Sequence, residues 1–137
     1  MLKIMIIDNN LTFGRLLADI LKMNFSSSVI CLKANNPALM DQFKLFSPDI
    51  VFIDIQSMGT TCFGLTENFK TSHRALRIIW ITSYDQPEYL QKAHDSGVDY
   101  CLLKNSITTD GITDLIRVIC HAGSIGQCSE EKDNTST

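Results

Sequence analysis

Short apolar runs finishing on a polar residue recur along this chain, and segments of helical period separate them. Leu2–Ile7 is followed by Asp8, Val29–Leu32 is a second run, and Ile50–Ile55 carries Asp54 near its far end. Ile78–Thr82 finishes on Thr82, and Tyr100–Leu103 is closed by Lys104. Runs this short, rich in β-branched residues, read as strands buried on both sides. Between them Phe13, Leu16, Leu17, Ile20 and Leu21 recur at helical spacing, with Asn9 or Asn10 available as N-cap. Asn36-Pro37 starts a second helix, whose buried face is Leu39, Met40, Phe43 and Phe46 and which Ser47-Pro48-Asp49 breaks. Gln56–Gly64 reads as a loop, followed by a weak helix over Leu65–Lys70. Asp85-Gln86-Pro87-Glu88 resembles a capping box for a helix running to about Ser96 and stopping at Gly97. Ile112, Leu115, Ile116 and Ile119 mark a last amphipathic helix that ends before Gly123.

A strand–helix unit repeated five times implies an α/β chain with a parallel sheet covered on both faces. The 137 residues suffice for one such domain, and 45% hydrophobic with 20% charged residues is a folding composition. The predicted domain is 1–123, with 124–137 a polar tail or linker around Ser129-Glu130-Glu131-Lys132-Asp133. A net charge of -3 argues against direct nucleic-acid binding. No apolar run approaches the roughly 20 residues that span a bilayer, and Asp8 interrupts the first run too early for a signal peptide. Five cysteines (Cys31, Cys62, Cys101, Cys120 and Cys128) form no CxxC pair, and His73, His94 and His121 stand at no zinc-ligand spacing from them. They read as reduced core thiols of a cytoplasmic protein.

In an open parallel sheet the carboxyl ends of all strands share one rim, where ligands bind. Asp8, Asp54, Thr82 and Lys104 should therefore converge. Two close aspartates repel unless a cation shares their site. Hard oxygen ligands suit Mg²⁺, and a carboxylate is a competent nucleophile toward a phosphoryl group. Lysine, a metal and a threonine hydroxyl would supply what phosphoryl transfer needs. The set fits transient phosphorylation of an aspartate. The plainer alternatives are strand-end caps for the aspartates, a strand threonine and a solvated lysine; Trp80, Tyr100 and Cys101 read as packing residues.

The chain resembles the receiver domain of two-component response regulators. The matching blocks are Ile4-Met5-Ile6-Ile7-Asp8, Pro48-Asp49-Ile50-Val51-Phe52-Ile53-Asp54-Ile55-Gln56, Ile79-Trp80-Ile81-Thr82-Ser83 and Gly97-Val98-Asp99-Tyr100-Cys101-Leu102-Leu103-Lys104. They span residues 1 to about 123, and Leu102-Leu103-Lys104 with Leu115-Ile116-Arg117-Val118-Ile119 look closest to receivers preceding a helix-turn-helix output domain. The resemblance implies a flavodoxin-like (βα)5 doubly wound parallel sheet with strand order 2-1-3-4-5. It implies that Asp54 is the phosphoacceptor for a sensor histidine kinase, with Lys104 on a phosphoryl oxygen and Thr82 reporting its arrival. Asp8, Asn9, Asp54 and the backbone carbonyl of Gln56 would hold Mg²⁺. A receiver is no enzyme beyond self-phosphotransfer and autodephosphorylation. Partner binding or homodimerisation would use the face of the fourth helix, fifth strand and fifth helix, including Tyr89 and Lys92.

The sequence departs from the family in places. Asn9 stands where a second acid is usual, removing one negative charge from the metal site. Ser57 and Met58 stand where Met-Pro is usual, and the usual glycine is displaced to Gly64, so a longer loop after Asp54 is expected. Cys101 takes the aromatic switch position, and Tyr100, one residue earlier, must face the other side of the sheet. Asn105 replaces the common proline after the lysine. These departures keep a second function open: a pseudo-receiver, acting as a phosphorylation-independent interaction or dimerisation module. A haloacid-dehalogenase-type phosphatase is disfavoured because Asn10 occupies the place of its acid–base aspartate. A flavin carrier is disfavoured because the first loop lacks a phosphate cradle.

Overall fold

A computed structural model describes residues 1–59, 61–83 and 87–122, without the side chains of 87–90 and 122. The expected cap at Asp85-Gln86, the Tyr89 side chain, the stop before Gly123, Cys128 and the 124–137 tail lie outside the described residues. Five parallel strands form one sheet: β1 (Lys3–Ile7), β2 (Val29–Lys33), β3 (Ile50–Asp54), β4 (Arg77–Thr82) and β5 (Tyr100–Leu103). Their order is β2-β1-β3-β4-β5, the flavodoxin-like arrangement. The winding reverses between β1 and β3, and that places a crevice over their carboxyl ends.

The period-2 alternation of side chains builds two cores from one sheet. Ile4, Ile6, Phe52, Ile79 and Ile81 point to the face covered by α1 (Leu11–Asn24) and α6 (Thr109–Ala122). Met5, Ile7, Val51, Ile53, Ile78 and Trp80 point to the face covered by α2 (Leu39–Phe46), α4 (Thr61–Ser72) and α5 (Pro87–Asp95). The central strand β3 is buried at every position. Tyr100 packs with the first core and Cys101 with the second, as alternation requires. Gly97 follows α5 with φ +83, a conformation that favours glycine, and turns the chain toward β5.

Two expectations need correction. The segment after Asp54 is helical where a loop was expected. A single turn, α3 (Ile55–Met58), follows β3 directly, and α4 already begins at Thr61. Gly64 therefore lies inside a helix, and it is Gly59, at φ +59, that ends the turn. The buried face of α4 is Cys62, Thr66 and Phe69. Thr66 is in that face because it accepts a hydrogen bond from the buried Trp80 indole at 3.0 Å. A polar residue on the inward stripe hides the helical period. The second helix also starts later than Asn36-Pro37: Asn36 Oδ1 accepts from the Ala38 N–H in a turn, and α2 begins at Leu39.

Candidate functional site

Register brings the strand ends together. Ile7 pairs with Ile53, so Asp8 and Asp54 leave adjacent strands side by side. Asp54 pairs with Ile81, and Thr82 with Leu103, one residue before Lys104. Lys104 opens a short 3₁₀ turn, Lys104–Ser106, and its ammonium packs 4.4 Å from the centre of the Phe13 ring on α1. From there Nζ reaches Asp8 Oδ2 at 3.3 Å and Asp54 Oδ2 at 3.3 Å. Residues far apart in sequence thus form one charged cluster, in which the Asp8 and Asp54 side chains are only 1% and 5% exposed.

The surrounding donors are specific. The Asp54 carboxylate caps α3, accepting from the Gln56 N–H at 3.2 Å through Oδ1. The Gln56 side chain spans to β4: its Nε2 donates to Thr82 Oγ1 at 3.3 Å, and its Oε1 accepts from the Ser83 N–H at 3.2 Å. Asp8 Oδ1 accepts from the Asn10 N–H at 2.8 Å, while Asn10 Oδ1 caps α1 through the Phe13 N–H. Asn9 is an exposed knot between loops. Its Oδ1 accepts from the Asn35 N–H at 2.7 Å, and its Nδ2 donates to the Ser57 carbonyl at 3.4 Å.

Ser57 is the participant that sequence reasoning missed. Its Oγ donates toward Asp54 Oδ2 at 3.0 Å and Asp8 Oδ1 at 3.4 Å, and accepts from the Asn9 N–H at 2.9 Å. The signal was its place three residues after Asp54. A helical turn beginning at Asp54 swings position 57 back over the capping carboxylate. The expectation of a loop concealed it.

Electrostatics follow from this crowding. Burial raises the Asp8 carboxyl above its usual range; the adjoining Asp54 carboxyl adds to the rise, while the Asn10 N–H and Lys104 oppose it. Asp8 Oδ2 is buried and has no hydrogen bond, despite its ionic contact with Lys104. An unsatisfied buried carboxylate oxygen facing a second carboxylate fits a hard cation. Among the described residues, no group of three or more His, Cys, Asp or Glu side chains gathers as a richer metal site. No helix among them is long and apolar enough to cross a membrane. Cys31, Cys62 and Cys101 are free thiols.

The family model of the response regulator receiver domain matches residues 4–117. The chain belongs to that family. Its sequence is 29% identical over 101 residues to the sensory transduction protein LytT of Bacillus subtilis (strain 168), covering 73% of this chain and 41% of the relative. The chain thus matches less than half the length of that curated relative. The signal receiver domain of a DNA-binding response regulator from Colwellia psychrerythraea 34H shares the fold with a TM-score of 0.80 and 19% identity, covering 88% of this chain and 99% of the other. A response regulator from Burkholderia pseudomallei, solved with a phosphorylated aspartic acid, a calcium ion and citrate, shares it with a TM-score of 0.72 and 16% identity, covering 86% and 72%.

Proposed function

We propose that this receiver takes a phosphoryl group on Asp54 from the phosphohistidine of a sensor histidine kinase. The observation that carries the reading is the contact of one lysine with two buried carboxylates, Lys104 Nζ lying 3.3 Å from both Asp8 and Asp54. In the transfer a carboxylate oxygen of Asp54 forms the new O–P bond, the histidine N–P bond breaks, and the imidazole leaves with the bonding pair. Lys104, already paired with Asp54, faces the oxygens on which negative charge gathers. Thr82 is poised one strand away, its hydroxyl held by Gln56. Asp8, Asn9, Asp54 and the Gln56 backbone carbonyl would hold Mg²⁺, which when bound would neutralise charge on the phosphoryl oxygens. The Burkholderia regulator, solved with both a phosphorylated aspartic acid and a calcium ion, is consistent with that chemistry.

Phosphorylation then shifts a pre-existing equilibrium of the α5–β5–α6 face, where a partner, an output domain or a second copy docks. Lys92 on α5 reaches over the Phe63 ring of α4 at 4.9 Å, which ties α5 to the neighbouring helix outside that face. A cytoplasmic setting follows from the kinase partner. The test is intact mass after incubation with acetyl phosphate and Mg²⁺. A gain of one phosphoryl group that disappears in Asp54→Asn is expected; no gain at high Mg²⁺ would make this chain a phosphorylation-independent interaction module.

A further inference from the structure

We propose that Ser57, locked by Asn9, is a positioning residue whose hydroxyl competes with a divalent cation for the Asp8–Asp54 carboxylate pair. The inference deepens the proposed function and draws its meaning from that reading, but its chemistry is separate.

A serine hydroxyl has one proton to give and two lone pairs to accept with. Here the Asn9 N–H occupies the accepting side of Ser57 Oγ at 2.9 Å, so the proton is directed to the carboxylates, 3.0 Å from Asp54 Oδ2 and 3.4 Å from Asp8 Oδ1. The Asn9 side chain secures the same turn from its other end, donating from Nδ2 to the Ser57 carbonyl at 3.4 Å. An aspartate at position 9 has no donor for that carbonyl. The asparagine therefore does more than remove a charge: its amide ties the serine down.

Each carboxylate oxygen can then be assigned. Asp54 Oδ1 takes the Gln56 N–H, Asp54 Oδ2 takes Ser57 and Lys104, and Asp8 Oδ1 takes the Asn10 N–H and Ser57. Asp8 Oδ2 is buried and without a hydrogen bond. A cation binding through both acids finds that oxygen free of hydrogen bonds, its one contact the Lys104 ammonium at 3.3 Å, but must displace the Ser57 proton from the pair. The hydroxyl thus supplies part of the neutralisation that the ion would supply and lowers the affinity for the ion.

The test is a calorimetric titration with Mg²⁺, repeated with Mn²⁺ followed by electron paramagnetic resonance, in the absence of any phosphodonor. Ser57→Ala should bind either ion roughly tenfold tighter, the factor expected for one hydrogen bond to a charged oxygen. Ser57→Thr, which keeps the hydroxyl, should stay within about twofold of wild type, well below that same factor. If wild type does not saturate, Ser57→Ala must bring binding into the measurable range. Equal or weaker binding by Ser57→Ala, or equal tightening by Ser57→Thr, overturns the proposal. A role confined to holding the turn would weaken binding instead. Should Ser57→Ala not fold, Ser57→Cys, of similar shape and a weak donor, is held to the same criterion. Phosphoryl uptake from acetyl phosphate by wild type is read independently. Uptake without tightening sinks this inference alone; tightening without uptake sinks the proposed function alone.

Discussion

Both rims of the sheet carry aspartates beside cations, and they use them differently. At the amino-terminal rim Asp99 Oδ2 accepts from the buried Ile78 N–H at 2.8 Å and meets Lys70 at 2.9 Å, with Arg77 near Oδ1 at 3.5 Å. Asp49 likewise accepts from the Lys3 N–H at 2.9 Å. These carboxylates close the ends of strands. At the carboxyl-terminal rim Asp8 and Asp54 face one another across a single lysine, and one oxygen is left unsatisfied in a buried position. The residue types match; what differs is that Asp99 meets a backbone donor and two cations of its own, whereas at the other rim two buried acids share a single lysine. Excess buried charge costs stability and is retained where chemistry uses it.

The largest expected effect breaks the comparison at its cation. Lys104→Met should slow phosphoryl uptake by on the order of 100-fold, the loss of one preorganised charge at a developing anion. Lys70→Met at the opposite rim should leave uptake unchanged. Time-resolved intact mass with a small phosphodonor measures both, and equal slowing would erase the distinction between the rims.

The converse substitution is next in size. Asp99→Ala strands the Ile78 N–H inside the sheet, and a lost partner for a buried donor costs about 2 kcal/mol. The ion pairs to Lys70 and Arg77 are partly exposed and add little. Chemical denaturation should show the loss while phosphoryl uptake per folded molecule stays at the wild-type level.

How much of this was legible beforehand depends on whether a feature was written in the strand pattern or in the third dimension. The convergence of residues 8, 54, 82 and 104 was legible because apolar runs that stop on a polar residue fix where each strand delivers its side chain. The opposite facing of Tyr100 and Cys101 was legible for the same reason. The turn at Ile55–Met58 was not, since four residues make too short a window for a period. Helix α4 was visible only as its later half because Thr66, a polar residue, sits in its buried stripe to meet Trp80. Ser57 was lost with the turn that carries it, although Asp54 and Ser57 stand one helical turn apart.

A smaller effect with the opposite sign sharpens the difference between the rims. Asp8→Asn keeps the acceptor for the Asn10 N–H and leaves Lys104 with one carboxylate to neutralise. It should stabilise the cation-free protein near neutral pH by about 1 kcal/mol, the scale of a partly screened like-charge contact. The Asp8 carboxyl is raised above 3.8 in the fold. Its contribution to wild-type stability is therefore complete below 3.8 and is lost as pH rises through the folded-state value. The advantage of Asp8→Asn should fade as pH falls, and paired melting curves across the acid range measure it. A destabilised Asp8→Asn protein would mean that Asp8 behaves like Asp99.

The smallest effect comes from between the rims, where no charged group among the described residues acts on a buried thiol. The Cys62 thiol lies in the α4 core, and burial pushes it up to about 11 from 9.0. At Asp8 the ammonium of Lys104 opposes the same desolvation, whereas at Cys62 the only opposing influence is a local backbone hydrogen bond. Because the folded-state value is the higher one, the thiol's contribution is intact below 9 and disappears between 9 and about 11. At neutral pH nothing should be visible. Above 9 the wild-type melting temperature should fall more steeply than that of Cys62→Ala, and only the difference in slope counts, since every other group is common to both proteins. In the native protein at pH 8, Cys62 should also resist iodoacetamide until unfolding is induced, as read by peptide mass mapping. Parallel slopes, or ready labelling of the native thiol, would mean that charge is tolerated inside the slab without a partner, and the case for Lys104 as the neutraliser of the acidic rim would weaken with it.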